Sequence, residues 1–85
     1  GTSFDEFSPE QMDVIYSSAE NGMDITLLLN PEFSPAQMQL IVDVMERISA
    51  NERYRFESEI EKLTSVVMTP EEVNAQRQER HFPLE

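Results

Sequence analysis

The sequence predicts an all-α domain, a small bundle of four to five helices built on an approximate 26-residue repeat. Three observations carry this prediction. The hexapeptide Phe7-Ser8-Pro9-Glu10-Gln11-Met12 returns as Phe33-Ser34-Pro35-Ala36-Gln37-Met38, and the shared register sets Ile15 on Ile41 and Glu20 on Glu46. A looser third version stands at Met68-Thr69-Pro70-Glu71-Glu72-Val73. Each of the three has the form of a helix start. The first four N–H groups of a helix lack intrahelical partners. Ser8, Ser34 and Thr69 each offer a side-chain oxygen as N-cap, which stabilises by about 1 kcal/mol over alanine. Proline follows at the first helical position, where its missing N–H costs nothing. Gln11, Gln37 and Glu72 stand three residues after the caps, placed to close capping boxes. Phe7/Met12, Phe33/Met38 and Met68/Val73 hold the two positions of a hydrophobic staple.

In chain order, residues 1–7 read as a lead-in with Phe4 as a candidate core plug, residues 8–67 as the compact domain, and residues 68–85 as a C-terminal helix and polar tail. The first helix spans 9–20, with Met12, Ile15, Tyr16 and Ala19 spaced to share its inner face. Glu10, Asp13, Ser17 and Glu20 take the outer face. Asn21-Gly22 ends it, because glycine accepts the left-handed conformation beyond a C-cap. Asp24 caps a short helical turn over 25–29. Its apolar run also suits a strand, but no partner strand exists elsewhere. Asn30-Pro31 terminates the turn.

The next helix opens at Pro35. Met38, Leu40, Ile41, Val42, Val44, Met45 and Ile48 cover most of its circumference and leave Gln37, Gln39, Asp43, Glu46 and Arg47 as a narrow polar strip. A helix apolar on so many sides belongs at the centre, with Met38, Ile41, Met45 and Ile48 expected as the middle of the core. Ser49-Ala50-Asn51-Glu52 forms a further capping box and predicts a break; one long helix over 35–66 is the alternative. The following helix, over about 50–66, steps Phe56, Ile60, Leu63 and Val67 along its inner face and pairs Arg53 with Glu57 and Arg55 with Glu59 at i, i+4. The last helix starts at Pro70, has Val73 and Ala75 to bury, and frays toward His81 unless Phe82 and Leu84 dock.

Composition sets the outer limits. Eighty-five residues with 39% hydrophobic and 27% charged side chains make one globular domain rather than a disordered chain. No apolar run approaches the roughly 20 residues of a membrane span, and the acidic N-terminus lacks the pattern of an export signal, so a cytoplasmic protein is expected. The formal net charge is −11, from seventeen acids and six bases. The charge is uneven, since residues 1–46 carry nine acids and no lysine or arginine. Such a body repels phosphate backbones, which disfavours direct nucleic-acid binding. Helix-turn-helix reading of DNA fails for the same reason, because the central helix offers one arginine and two acids on its polar strip.

The pattern Phe7-Ser8-Pro9-Glu10-Gln11-Met12 followed by Ala19-Glu20-Asn21-Gly22-Met23-Asp24 resembles a short helical repeat of uncharacterised gut-bacterial proteins, often in mobile-element neighbourhoods. The likeness covers residues 7–32 and, in the second copy, extends to Glu46. There Arg47-Ile48-Ser49-Ala50 replaces the expected ending. The resemblance implies a helical module and carries no activity.

Chemistry-bearing residues are sparse. With no cysteine and one histidine, His81, the chain lacks the thiolates and imidazoles of a structural metal site. No alternation of acids around a glycine matches a calcium loop. Glu71-Glu72 suits the first turn of a helix, where the macrodipole favours acids. The cap serines have no histidine base to activate them, and Gly22 is the one glycine inside the chain, which rules out a glycine-rich phosphate loop. No cofactor is implied and no enzyme is expected. The five methionines fit a core, while methionine-rich surfaces also form adaptable grooves for helices. The expectation is a non-catalytic protein–protein interaction module whose partner surface is the acidic face of Glu10, Asp13 and Glu20. The alternative is an acidic inhibitor that occupies the nucleic-acid site of a basic protein, presenting carboxylates where phosphates would lie.

Overall fold

The computed structural model describes residues 4–48 and 54–79, and among these all the regular secondary structure is helical. A 3-10 turn at Phe4–Glu6 leads into α1 (Pro9–Glu20), followed by a 3-10 turn at Ile25–Leu28, α2 (Pro35–Arg47), α3 (Glu57–Thr64) and α4 (Pro70–Glu79). The capping box expected over 49–52, the Arg53–Glu57 pair, His81 and the docking of Phe82 and Leu84 fall outside the described residues, as does the side chain of Phe4.

The three motifs each begin a helix. Gln11 N–H donates to Ser8 Oγ at 3.2 Å, and Ser8 N–H donates to Gln11 Oε1 at 2.6 Å, a complete capping box. Thr69 and Glu72 make the same two bonds at 3.1 and 2.8 Å. The middle motif departs from this arrangement. Gln37 N–H still donates to Ser34 Oγ at 3.1 Å, but the Gln37 side chain turns away from its own cap. All six staple residues lie in the core or packed against it.

The end of α1 follows its sequence closely. Gly22 takes φ +79° just past the Asn21 C-cap, its N–H donates to Ala19 O, and Met23 N–H donates to Ser18 O. This pair of bonds is a Schellman motif and satisfies carbonyls that the helix leaves open. Asp24 then caps the 3-10 turn through Thr26 N–H. Asn30 Oδ1 accepts from Glu32 N–H, and Phe33 N–H donates to Asn30 O. That tight turn sets up α2.

α2 is central, as its apolar circumference requires, and packs against α1, the second 3-10 turn, α3 and α4. It ends at Arg47, with Ile48 in extended conformation as its C-cap. The break expected near residue 49 is therefore real, and the single long helix is not formed. The helix that follows begins later than expected, at Glu57 rather than near residue 50, after a 3-10 turn over 54–56. It buries Ile60 and Leu63, while Phe56 is half-buried and Val67 is exposed beyond the helix end. The inner face is thus shorter than the stepping pattern suggests.

Three further readings are corrected by the packing. α1 turns Gln11, Ile15 and Ser18 inward with Met12 and Val14 at their flanks, while Tyr16 is 63% exposed and Ala19 is exposed. The inner face is rotated by about one residue from a purely apolar reading. The centre of the core is Phe33, Ile15, Leu28, Met38, Leu40 and Ile41, and Met45 and Ile48 sit only half-buried at its edge. Gln37, assigned to the polar strip, is fully buried.

The bonds of the two buried glutamines explain the turn of the α1 face and the burial of Gln37. Gln11 Nε2 donates to Pro31 O at 2.9 Å and Phe33 O at 2.6 Å. Gln37 Nε2 donates to Leu63 O at 3.0 Å and Val66 O at 2.7 Å, and its Oε1 accepts Met68 N–H at 2.8 Å. An unpaired amide in a core costs several kcal/mol by apolar-transfer measures, roughly 2–7; one bonded on every side does not. Ser18 is buried by the same logic, its hydroxyl donating to Val14 O at 2.8 Å. No buried side-chain polar atom among the described residues lacks a partner.

The packing also extends past residue 67. Val73 is buried in the main core, Met68 packs against it, and Arg77 reaches Asp43 of α2 at 2.8 Å. Ala75, expected as a second anchor of α4, is exposed.

Candidate interaction surface

The surface follows from how α1 is seated. With Gln11, Ile15 and Ser18 drawn inward, the opposite side of the helix must carry Asp13, Tyr16, Ser17 and Glu20, all of which are exposed. Glu10 lies at the margin of the same side and is exposed as well. Asp13, Tyr16 and Glu20 stand at i, i+3 and i+7, a single stripe along the helix. The structure therefore brings Glu10, Asp13 and Glu20 onto one solvent-facing side and adds Tyr16, which a purely apolar reading had placed inside.

None of these three acids takes part in an ion pair with a described basic side chain. Arg55 and Lys62, the described bases of the segment around α3, do not reach across to them. Exposed like charges spaced along a helix cost little in water, where screening acts over about 10 Å at 0.1 M salt. The stripe is electrostatically open without being strained.

Met38 is fully buried, and Met12, Met23, Met45 and Met68 are half-buried against the core. Glu71 and Glu72 are exposed in the first turn of α4, and Glu72 serves the cap. Among the described residues no group of three His, Asp or Glu side chains is placed to hold a metal ion. No helix is long and apolar enough to cross a membrane among these residues. Between α3 and α4 lies an open cleft of about 290 Å³ lined by Glu59, Lys62, Gln76 and Glu79.

Apolar periodicity missed two kinds of residue. Gln11 and Gln37 escape it because they are polar, yet a glutamine kept at the same place in both hexapeptides was the available signal. The Asp43–Arg77 pair joins residues 34 apart, and nothing local to either helix announces it.

Compared with known proteins, the chain matches no protein-family model, no curated protein and no solved structure.

Proposed function

We propose that this chain is a non-catalytic protein–protein interaction module that engages a positively charged partner through the outer face of α1. The observation that carries the reading is the exposed stripe of Glu10, Asp13 and Glu20, unpaired by any described base of the chain. A surface of one charge sign steers a complementary partner and raises its rate of encounter. The recurrence of the Phe-Ser-Pro-x-Gln-Met hexapeptide supports a module built on a short helical repeat, in keeping with the gut-bacterial repeats that residues 7–32 resemble. The same stripe favours one sharper form, in which the partner's basic site is one that otherwise holds nucleic acid.

The test is affinity capture of proteins from the native host by the unmodified chain and by the double variant Asp13→Lys, Glu20→Lys. A specific partner is expected to be held at low salt, released at high salt and lost to the variant, whose circular dichroism stays unchanged. Duplex DNA that competes the partner away marks the nucleic-acid form; indifference to DNA marks an ordinary basic surface. A partner held equally by the variant sinks the assignment of the face.

A further inference from the structure

The end of α1 holds a reactive pair in an unreactive pose. Asn21 precedes Gly22, and an asparagine followed by glycine is the pairing in which the backbone most readily attacks its own side chain. The Gly22 nitrogen gives its proton to hydroxide and bonds to Asn21 Cγ. The carboxamide C–N bond breaks, ammonia leaves with a proton from water, and a succinimide ring closes. Water opens the ring at either carbonyl. Position 21 becomes aspartate or, with the main chain rerouted through Cγ, isoaspartate. The net change consumes one water and releases one ammonia.

Sterically, nothing stands in the way. Asn21 and Gly22 are both exposed, and a Cβ on Gly22 would meet nothing within 4 Å. Among the described residues no hydrogen bond holds the Asn21 carboxamide. The backbone is what blocks the reaction. Asn21 has ψ 5°, which sets the Gly22 nitrogen beside Asn21's own nitrogen rather than toward Cβ, where ring closure needs it. The Gly22 N–H is also engaged, donating to Ala19 O at 3.0 Å, and Met23 N–H donates to Ser18 O at 3.0 Å. Glycine is needed at position 22 because φ +79° is disfavoured for residues with a side chain. The residue that ends the helix is thus the one that arms its neighbour. The other described asparagines are poorer candidates. Asn30 precedes Pro31, whose nitrogen has no proton to give, and Asn74 lies inside α4 ahead of Ala75, whose methyl hinders attack.

We propose that Asn21 is a self-modification site kept latent by the C-cap of α1 and released when the last turn of that helix opens. Helix ends fray, and local opening costs far less than global unfolding. Conversion puts a new carboxylate beside Glu20 at the C-terminal end of α1, where the helix dipole disfavours negative charge. Isoaspartate also adds a backbone carbon where the two Schellman bonds must close, so the modified end cannot re-form its cap. Asn21 lies outside the stripe of Glu10, Asp13 and Glu20, and its chemistry stands whether or not that stripe binds a partner.

The test incubates the full chain and a synthetic peptide of residues 17–26 side by side at mildly alkaline pH. Digestion on the N-terminal side of aspartates excises residues 13–23 of the chain for mass spectrometry. An aspartate formed at 21 adds a cut before that residue; isoaspartate resists it and carries the mass of the acid. The peptide should convert freely and the full chain about ten-fold more slowly. Met23→Ala removes a half-buried side chain that packs the cap against the core, and should raise conversion about five-fold while α2 amides stay protected from exchange. Asn21→Gln, which would need a larger ring, should abolish it. Where Met23→Ala unfolds the chain, the parent in sub-denaturing urea decides: local opening leaves its conversion nearly flat, and global unfolding makes it climb with the unfolded fraction. A chain that converts at the peptide's rate overturns the lock. Conversion that tracks the unfolded fraction, or a folded Met23→Ala chain no faster than the parent, overturns release by local opening. A peptide that does not convert, or a chain that changes first at Asn30 or Asn74, overturns the site.

Discussion

Gln11 and Gln37 occupy the same place in two matching hexapeptides, and each donates its amide to the backbone just ahead of a later helix. Gln11 holds Pro31 and Phe33 just ahead of α2, and Gln37 holds Leu63, Val66 and Met68 just ahead of α4. A buried polar group with its bonds complete fixes geometry that apolar contacts alone leave loose. These joints, more than the staples, set where each helix begins relative to the one before it.

Gln37→Glu separates shape from hydrogen bonding. The carboxylate keeps the size of the amide but cannot donate to Leu63 O and Val66 O, and it carries charge into a fully buried position. A loss of about 3 kcal/mol or more is expected, from two unsatisfied carbonyls and an unpaired buried charge. Burial favours the protonated acid, so the penalty should shrink as pH is lowered into the carboxylate range. Urea denaturation at two pH values checks both parts, and a variant as stable as the parent at neutral pH would remove the joint.

Ser34→Ala should lower stability by about 1 kcal/mol through loss of the bond to Gln37 N–H. Ser8→Ala should cost a similar amount. Here the partner glutamine keeps its other contacts, so the midpoint of urea unfolding should fall while its slope stays constant. An unchanged midpoint for both would mean that proline and staple alone start these helices.

Ile41→Ala and Ile48→Ala test where the core is centred. Ile41 is 1% exposed, and its truncation should cost about 2–5 kcal/mol. That approaches the whole stability of a small domain, typically about 5–15 kcal/mol. The half-buried Ile48 should cost clearly less. Equal losses in thermal denaturation would return Ile48 to the centre.

Tyr16→Ala should leave stability within about 0.5 kcal/mol, as for surface positions without special contacts. The same change would cost several times more if the tyrosine were a core residue. Differential scanning calorimetry decides between the two faces of α1.

Local chemistry made much of this architecture legible in advance. Ser8, Ser34 and Thr69 as caps, Gly22 as the left-handed residue and the break after α2 depend on bonds between residues a few positions apart. Their outcome is written in short stretches of sequence. The inner face of α1 was misjudged because Gln11 and Ser18 are polar, and only tertiary partners make them fit for burial. The docking of α4 was undervalued because Val73 and Arg77 find the core and Asp43 across distances that no helical period measures. The acidic stripe was legible for the opposite reason. Exposed charge needs no partner, so the pattern of Glu10, Asp13 and Glu20 survives folding unchanged.

Trypsin finds nothing to cut before Arg47, since no lysine or arginine precedes it. That arginine is exposed at the last turn of α2. Cleavage there would release an N-terminal piece that keeps α1, its 3-10 turn and α2 whole, with Gln11 still bonded to Phe33. Gln37 would lose the tether that keeps Leu63, Val66 and Met68 beside it, and the apolar circumference of α2 would lose its cover of α3 and α4. A nick at one arginine is therefore a demolition rather than a trim: the largest fragment free of tryptic sites carries the centre of the fold with half its walls gone.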